Sequence, residues 1–347
     1  MRAARVIMAL TLAISATVAS GRAATADAPA LPKLVVAEPT KDFGTVVPGT
    51  DLTHTFVLRN EGKAPLEVRE LQPHMNVTIK SFDAVVAPGK TGTIVASLDA
   101  LRIFGAGQSF VDVLSNDPDQ PTLRLGLSAN VEPIVVSKPG YARWIYVQRE
   151  GEGMIAQLIS AKDGQPFKVL GVDTPVPYLR ATFRPATDAE RNPAVPGSQW
   201  RVELRLDPEA AVGPIEGQAV VKTNHPKQSV VAVPLSGFVR PRYFLEPTKG
   251  DLGALTLATP QTFAFSLRNF ATAPVEITGV ETTIPGVTAT SAAVLAGHRF
   301  SISVRLDPAV MAAGPFQGKL VVRLSDPLQP SLELPLSGQL LRIAASG

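Results

Sequence analysis

The residue pattern predicts an all-β chain of three tandem two-sheet sandwiches behind an export signal. Three observations predict it: apolar residues alternate with period two, turn formers stand every 8 to 12 residues, and one pattern recurs every 100 to 108 residues. The composition agrees. Of 347 residues, 45% are hydrophobic and 18% charged, with Gly 27 and Pro 31, too apolar for disorder and too rich in turn formers for a helical bundle. There is no cysteine, which excludes disulfides, thiolate metal sites and cysteine nucleophiles.

Residues 1–26 read as a signal peptide. Arg2 and Arg5 precede an apolar run from Val6 to Ala19, and small residues follow up to Ala26. The run is short for a transmembrane helix, and no later segment approaches the roughly 18 to 20 apolar residues a span needs. No integral span is therefore expected after cleavage. The net charge of +3 (Lys+Arg 33, Asp+Glu 30) comes from this segment, because losing Arg2, Arg5 and Arg22 leaves 30 of each sign. A neutral mature chain lacks the basic field of a nucleic-acid binder.

The repeats are fixed by identical spacings. Gly89, Gly197 and Gly297 each precede an aspartate by ten residues, Asp99, Asp207 and Asp307. Nineteen or twenty residues further on stand Pro118, Pro226 and Pro327, within Ser-Asn-Asp-Pro, Thr-Asn-His-Pro and Leu-Ser-Asp-Pro. Between these markers, Ile94, Ala96 and Leu98 correspond to Val202, Leu204 and Leu206 and to Ile302, Val304 and Leu306. Those columns, with Phe56, Leu58, Phe265 and Leu267, are expected to face the cores. Pro88-Gly89 and Pro196-Gly197 suit tight reversals, and Asn116-Asp117-Pro118 suits a turn capped by an Asx side chain. About seven short strands per repeat indicate immunoglobulin-like sandwiches. The expected domains are 33–132, 133–240 and 241–343, joined at Val131-Glu132-Pro133 and Val239-Arg240-Pro241-Arg242. Proline-stiffened joints predict a semi-rigid array. The insertion 184–196 in the second repeat, with Asp188, Glu190, Arg191 and Pro193, is expected to be an exposed, mobile loop.

Asp42-Phe43-Gly44-Thr45-Val46, His54 to Gly62, Pro65-Leu66-Glu67-Val68, Pro88-Gly89 and Ser115-Asn116-Asp117-Pro118 resemble a bacterial hydin-like family, domain of unknown function 1573, related to the abnormal-spindle and hydin modules. The resemblance is close over 34–131, looser over 243–341, and rests mainly on spacing over 134–239. It implies a sandwich used for protein contact or scaffolding, with no catalytic residue to carry over. Many members have Cys-Gly-Cys-Thr where this chain has Met75-Asn76-Val77-Thr78, so any thiol role is lost, and Met75 and Val77 are expected to fill the same space.

Chemical motifs are sparse. His54, His74, His225 and His298 show no metal-ligand spacing, and His225 in its turn is expected to be exposed. No Gly-x-Ser-x-Gly elbow occurs. Gly151-Glu152-Gly153 with Ala156 imitates a dinucleotide fingerprint but reads better as a hairpin turn. Asp117 and Asp119 could offer oxygens to calcium, though the recurrent turn is the simpler reading. No catalytic residue, metal or cofactor is expected. The candidate partner-binding residues are Tyr141, Trp144 and Trp200, which form an aromatic patch for a protein or sugar if exposed and of which the two tryptophans otherwise fill the second core, the simpler reading, together with Arg240 and Arg242. At the second joint those arginines could anchor a client carboxylate. The reading is a non-catalytic exported scaffold in the periplasm or envelope that binds proteins by its faces or by strand addition. A periplasmic assembly chaperone and a carbohydrate-binding accessory are the alternatives.

Overall fold

The computed structural model describes residues 30–341, so the signal segment lies outside the described residues. The first module contains β1 (Leu34–Val36), β2 (Thr40–Val46), β3 (Asp51–Asn60), β4 (Leu66–Pro73), β5 (Val77–Phe82), β6 (Val85–Val86), β7 (Thr91–Asp99), β8 (Gly105–Ser115) and β9 (Thr122–Val131). The second contains β10 (Val135–Lys138), β11 (Ala142–Val147), β12 (Met154–Ala161), β13 (Val169–Asp173), β14 (Leu179–Pro185), β15 (Gln199–Leu206), β16 (Gly213–Thr223) and β17 (Val230–Arg240). The third contains β18 (Tyr243–Glu246), β19 (Gly250–Thr256), β20 (Gln261–Asn269), β21 (Ile277–Thr282), β22 (Val287–Leu295), β23 (Arg299–Leu306), β24 (Gly314–Leu324) and β25 (Ser331–Leu341).

Each module is a pair of sheets. The orders are β1-β3-β7-β5 with β2-β9-β8-β4-β6, β10-β12-β15-β14 with β11-β17-β16-β13, and β18-β20-β23-β22 with β19-β25-β24-β21. Each pair encloses its own apolar cluster, so the chain is three tandem sandwiches. Period-two alternation puts one face of each strand inward. All nine column residues from Ile94 to Leu306 are at most 2% exposed. Burying each of the larger ones stabilises by about 1.5 to 3 kcal/mol, an upper estimate.

One departure from the antiparallel expectation recurs three times. Between the first two strands of each module stands a proline, Pro39, Pro139 or Pro247, which has no N–H for a ladder and ends the strand. There the chain crosses to the opposite sheet and pairs in parallel with the module's last strand: β2 with β9, β11 with β17, and β19 with β25. Alternation reports which residues are buried but carries no information on strand direction.

The loop 184–196 is braced. Arg184 donates to both Glu190 oxygens at 2.7 and 2.6 Å, and the buried Gln199 amide holds the loop through Asn192 and Val195. Its charges fold back on each other, which an apolar-periodicity search cannot see. Of the tetrapeptide in the thiol position, Val77 is buried while Met75 is 85% exposed, because Asn76 turns the chain with φ 68° and only one of the two side chains can face inward.

Candidate interaction site at the module seams

The turns at Pro118, Pro226 and Pro327 fasten each module's opening strand. In the first, Asp117 caps its own turn by accepting from Asp119 N at 2.9 Å and reaches across to accept from Leu34 N at 2.7 Å. In the second, His225 Nδ1 accepts from Lys227 N in the Asx manner, and Gln228 holds the incoming chain by accepting from Ile134 N and Val135 N at 2.7 and 2.9 Å. His225 is buried, against the expected exposure, since it packs edge-on to Phe167 and meets Asp163 at 3.2 Å. In the third, Asp326 caps Leu328 N at 2.9 Å and takes the side chains of Arg242 and Tyr243. Asp117 therefore serves as a turn cap with a committed carboxylate. The preceding residue in each motif, Asn116, Asn224 or Ser325, accepts a backbone N–H from Glu67, Lys168 or Glu276.

Neighbouring modules meet through equivalent parts. The turn between β2 and β3 carries Gly49, where a Cβ would stand 2.2 Å from Val230 Cγ2 of the second module. Gly49 also has φ +84°, so both the backbone and the close approach favour glycine. Gln218 adds a hydrogen bond to the Leu101 carbonyl at 3.1 Å. At the second seam the corresponding turn, between β11 and β12, includes Gly151-Glu152-Gly153 and is a joint element, followed by a strand where a dinucleotide fingerprint needs a helix. Its Arg149 pairs with Glu209 and donates to the Leu328 carbonyl, while Glu150 accepts from Thr272 N.

Arg242 closes that second seam. Its Nε and Nη2 lie 2.9 and 2.8 Å from Asp326 Oδ2, and its Nη1 donates to the Arg149 carbonyl at 3.2 Å. Tyr243 Oη donates to the same carboxylate oxygen at 2.7 Å. Burial works to raise the Asp326 pKa, but the hydrogen bonds from Tyr243, Leu328 N and Arg242 outweigh it and hold the carboxyl below its ordinary range. Burial first, then that carboxylate, pushes the Tyr243 phenol up to about 12.

Of the two readings of the aromatic cluster, the tryptophans follow the core one. Trp144 is 4% exposed and donates from Nε1 to the Gly153 carbonyl at 3.0 Å, filling the second core. Trp200 is half-buried and donates to the Phe167 carbonyl, whereas Tyr141 is exposed. Both tryptophans sit at inward positions of their strands and find buried acceptors for their N–H groups. Arg242 is likewise buried and fully engaged, so it offers no charge to a client carboxylate. Arg240 is exposed, with its guanidinium 5.2 Å from the centre of the Phe270 ring.

The first seam holds a cleft. Ile103, Phe104, Pro133, Val136, Val231 and Ala232 line a space of about 310 Å³, and Phe104 is 68% exposed. Its polar linings are spent: Gln228 is bonded to Val135 and Val230, and Ser137 donates to Gln157. Sequence reading missed this cleft because its residues come from four separate stretches. Exposed Phe104 beside the Asp99 turn was the available signal.

Other polar clusters serve the scaffold. Asp112 accepts both arms of Arg124 at 2.7 and 2.9 Å and meets His74 at 3.0 Å, which holds its carboxyl well below the usual range. His54 is half-buried, and burial lowers its pKa. Among the described residues no group of three or more His, Asp or Glu could hold a metal, and no helix is long and apolar enough to cross a membrane.

The class is thus a tandem immunoglobulin-like protein. Residues 34–131 match the family model described as a protein of unknown function, DUF1573. A search of curated proteins gives no match. Similar solved structures include a protein of unknown function from Porphyromonas gingivalis W83, 16% identical over 60% of this chain and 100% of that one, TM-score 0.26. The ASH/PapD-like domain of human CEP192 is 16% identical over 35% and 98%, TM-score 0.26, and a titin I67–I69 variant 13% over 91% and 100%, TM-score 0.20. Scores this low leave the fold assignment to the paired sheets and separate cores described above.

Proposed function

We propose that the mature chain is a non-catalytic scaffold of the periplasm or cell envelope that binds a protein partner at the joint of its first two modules. The supporting observation is the apolar cleft beside Phe104, walled by two modules and without an uncommitted polar side chain among Ser137 and Gln228. Such a lining suits an apolar side chain of a partner protein, with Phe104 covering it as an aromatic anchor. A sugar would leave its hydroxyls unmatched there. Domains 33–132, 133–240 and 241–343 would act as one unit, since each seam carries cross-module contacts.

The test is site-specific photocrosslinking from position 104 in the native envelope, followed by identification of the adduct. One dominant protein adduct, lost when Ala232→Arg fills the cleft, is expected. Adducts that are diffuse, or unchanged by that substitution, would overturn the reading.

A further inference from the structure

Sheet edges expose a row of unpaired backbone N–H and C=O groups, and proteins guard them with charges, prolines or short length. Among the described residues, eleven edge strands follow that rule. The edges β1 and β6 are three and two residues long, and each of the nine other guarded edges carries at least one Lys, Arg, Asp or Glu.

The exception is β22. It runs nine residues, Val-Thr-Ala-Thr-Ser-Ala-Ala-Val-Leu, with no charge, proline or glycine, and ladders only to β23, in regular register from Val287 to Ala293 and with a single bulge at Val294 near its end. Its last five residues, from Ser291, are all exposed, Val294 and Leu295 at 61% and 58%. The equivalent edges of the other modules are guarded: β5 carries Lys80, and β14 carries Arg180, Arg184 and a terminal proline. Beside β22 runs an open groove of about 710 Å³ lined by Val275, Ile277, Ser291, Ala293 and Phe300.

We infer that β22 is a self-association edge, pairing antiparallel with β22 of a second copy about a two-fold axis. Charge decides the occupant. Two copies of β14 paired antiparallel about their midpoint would oppose Arg180 to Arg184, whereas β22 meets its own copy with no like-charge pair. An isologous contact needs a strand complementary to itself, and an antiparallel pair satisfies the same row of backbone groups on both sides. The exposed Val294 and Leu295 lose water in the pairing, which adds apolar burial to the new ladder.

The absence of cysteine in the chain gives a clean test. Sedimentation of the mature chain across a concentration series is expected to show a monomer–dimer equilibrium. Ser291→Cys, at the midpoint of β22, is expected to form a disulfide-linked dimer on mild oxidation. Ala292→Lys is expected to weaken dimerisation by about tenfold or more with an unchanged circular dichroism spectrum, while Thr182→Lys on β14 leaves it unaltered. A chain that stays monomeric throughout, or a dimer indifferent to Ala292→Lys and not linked through Ser291→Cys, overturns the inference. Neither result bears on the cleft at Phe104, which is probed by its own crosslinks.

Discussion

The turn after β2 meets the next module through a bare glycine, and the turn after β11 meets its neighbour through Arg149 and Glu150. Both turns reach the same region of the following sandwich, near Val230 in one case and Leu328 in the other. One geometry is therefore built with two chemistries. The apolar joint leaves a cleft at its side, while the polar joint buries an ion pair. Apolar contact is non-directional and tolerates a gap, whereas a buried arginine must have its donors met and draws the surrounding backbone around it.

The sharpest way to break this contrast is Asp326→Ala. It strands the Arg242 guanidinium in a buried site and is expected to destabilise the third module by about 3 to 5 kcal/mol, read by chemical denaturation with a fluorescence probe in that module. Replacing Arg242 and Asp326 together by apolar residues is expected to cost much less.

At the other joint, Gly49→Val is expected to cost about 1 to 3 kcal/mol, combining the left-handed backbone with the contact on Val230. Its effect should fall on hydrogen exchange at the Val230 strand and leave the Leu328 turn unchanged. Gln218→Ala removes one partly buried hydrogen bond and is expected to cost about 0.5 to 1.5 kcal/mol in the same measurement.

Acid separates the joints further. The Asp326 carboxyl has a pKa below its unfolded value, so its contribution is fully present above about pH 4 and is lost as pH falls through the lowered folded value. Protection against hydrogen exchange at the Leu328 turn, taken relative to the intrinsic rate at each pH, should therefore fall below about pH 4 before protection near Val230 does. Asp326→Asn should remove that pH dependence. The smallest effect is expected from Tyr146→Phe. The buried Tyr146 hydroxyl makes no close hydrogen bond, only a loose approach to the Glu150 backbone, so its removal should leave stability unchanged or raise it by up to about 1 kcal/mol in thermal melts.

Much of the architecture was legible because burial alternates along a strand and apolar residues record it. The columns at Ile94, Val202 and Ile302 needed only that periodicity. The parallel pairing of β2 with β9 left no mark in it, since side-chain alternation is the same in either direction. The candidate site was less legible. Trp144 and Arg242 are residue types that serve equally in a core or on a surface, and only the positions of Gly153 and Asp326 in space decide between these roles. The recurrent turn was visible as a spacing, but its grip on Leu34, Ile134 and Tyr243 spans 83 to 94 residues of sequence.

The crossing at Pro39, Pro139 and Pro247 has a mechanical consequence. Because each module's second strand lies parallel to its last, tension between the chain ends draws those two strands in opposite directions along their length. The hydrogen bonds joining β2 to β9, β11 to β17 and β19 to β25 are then loaded together in shear, so each sandwich resists stretching as a unit before any single bond yields.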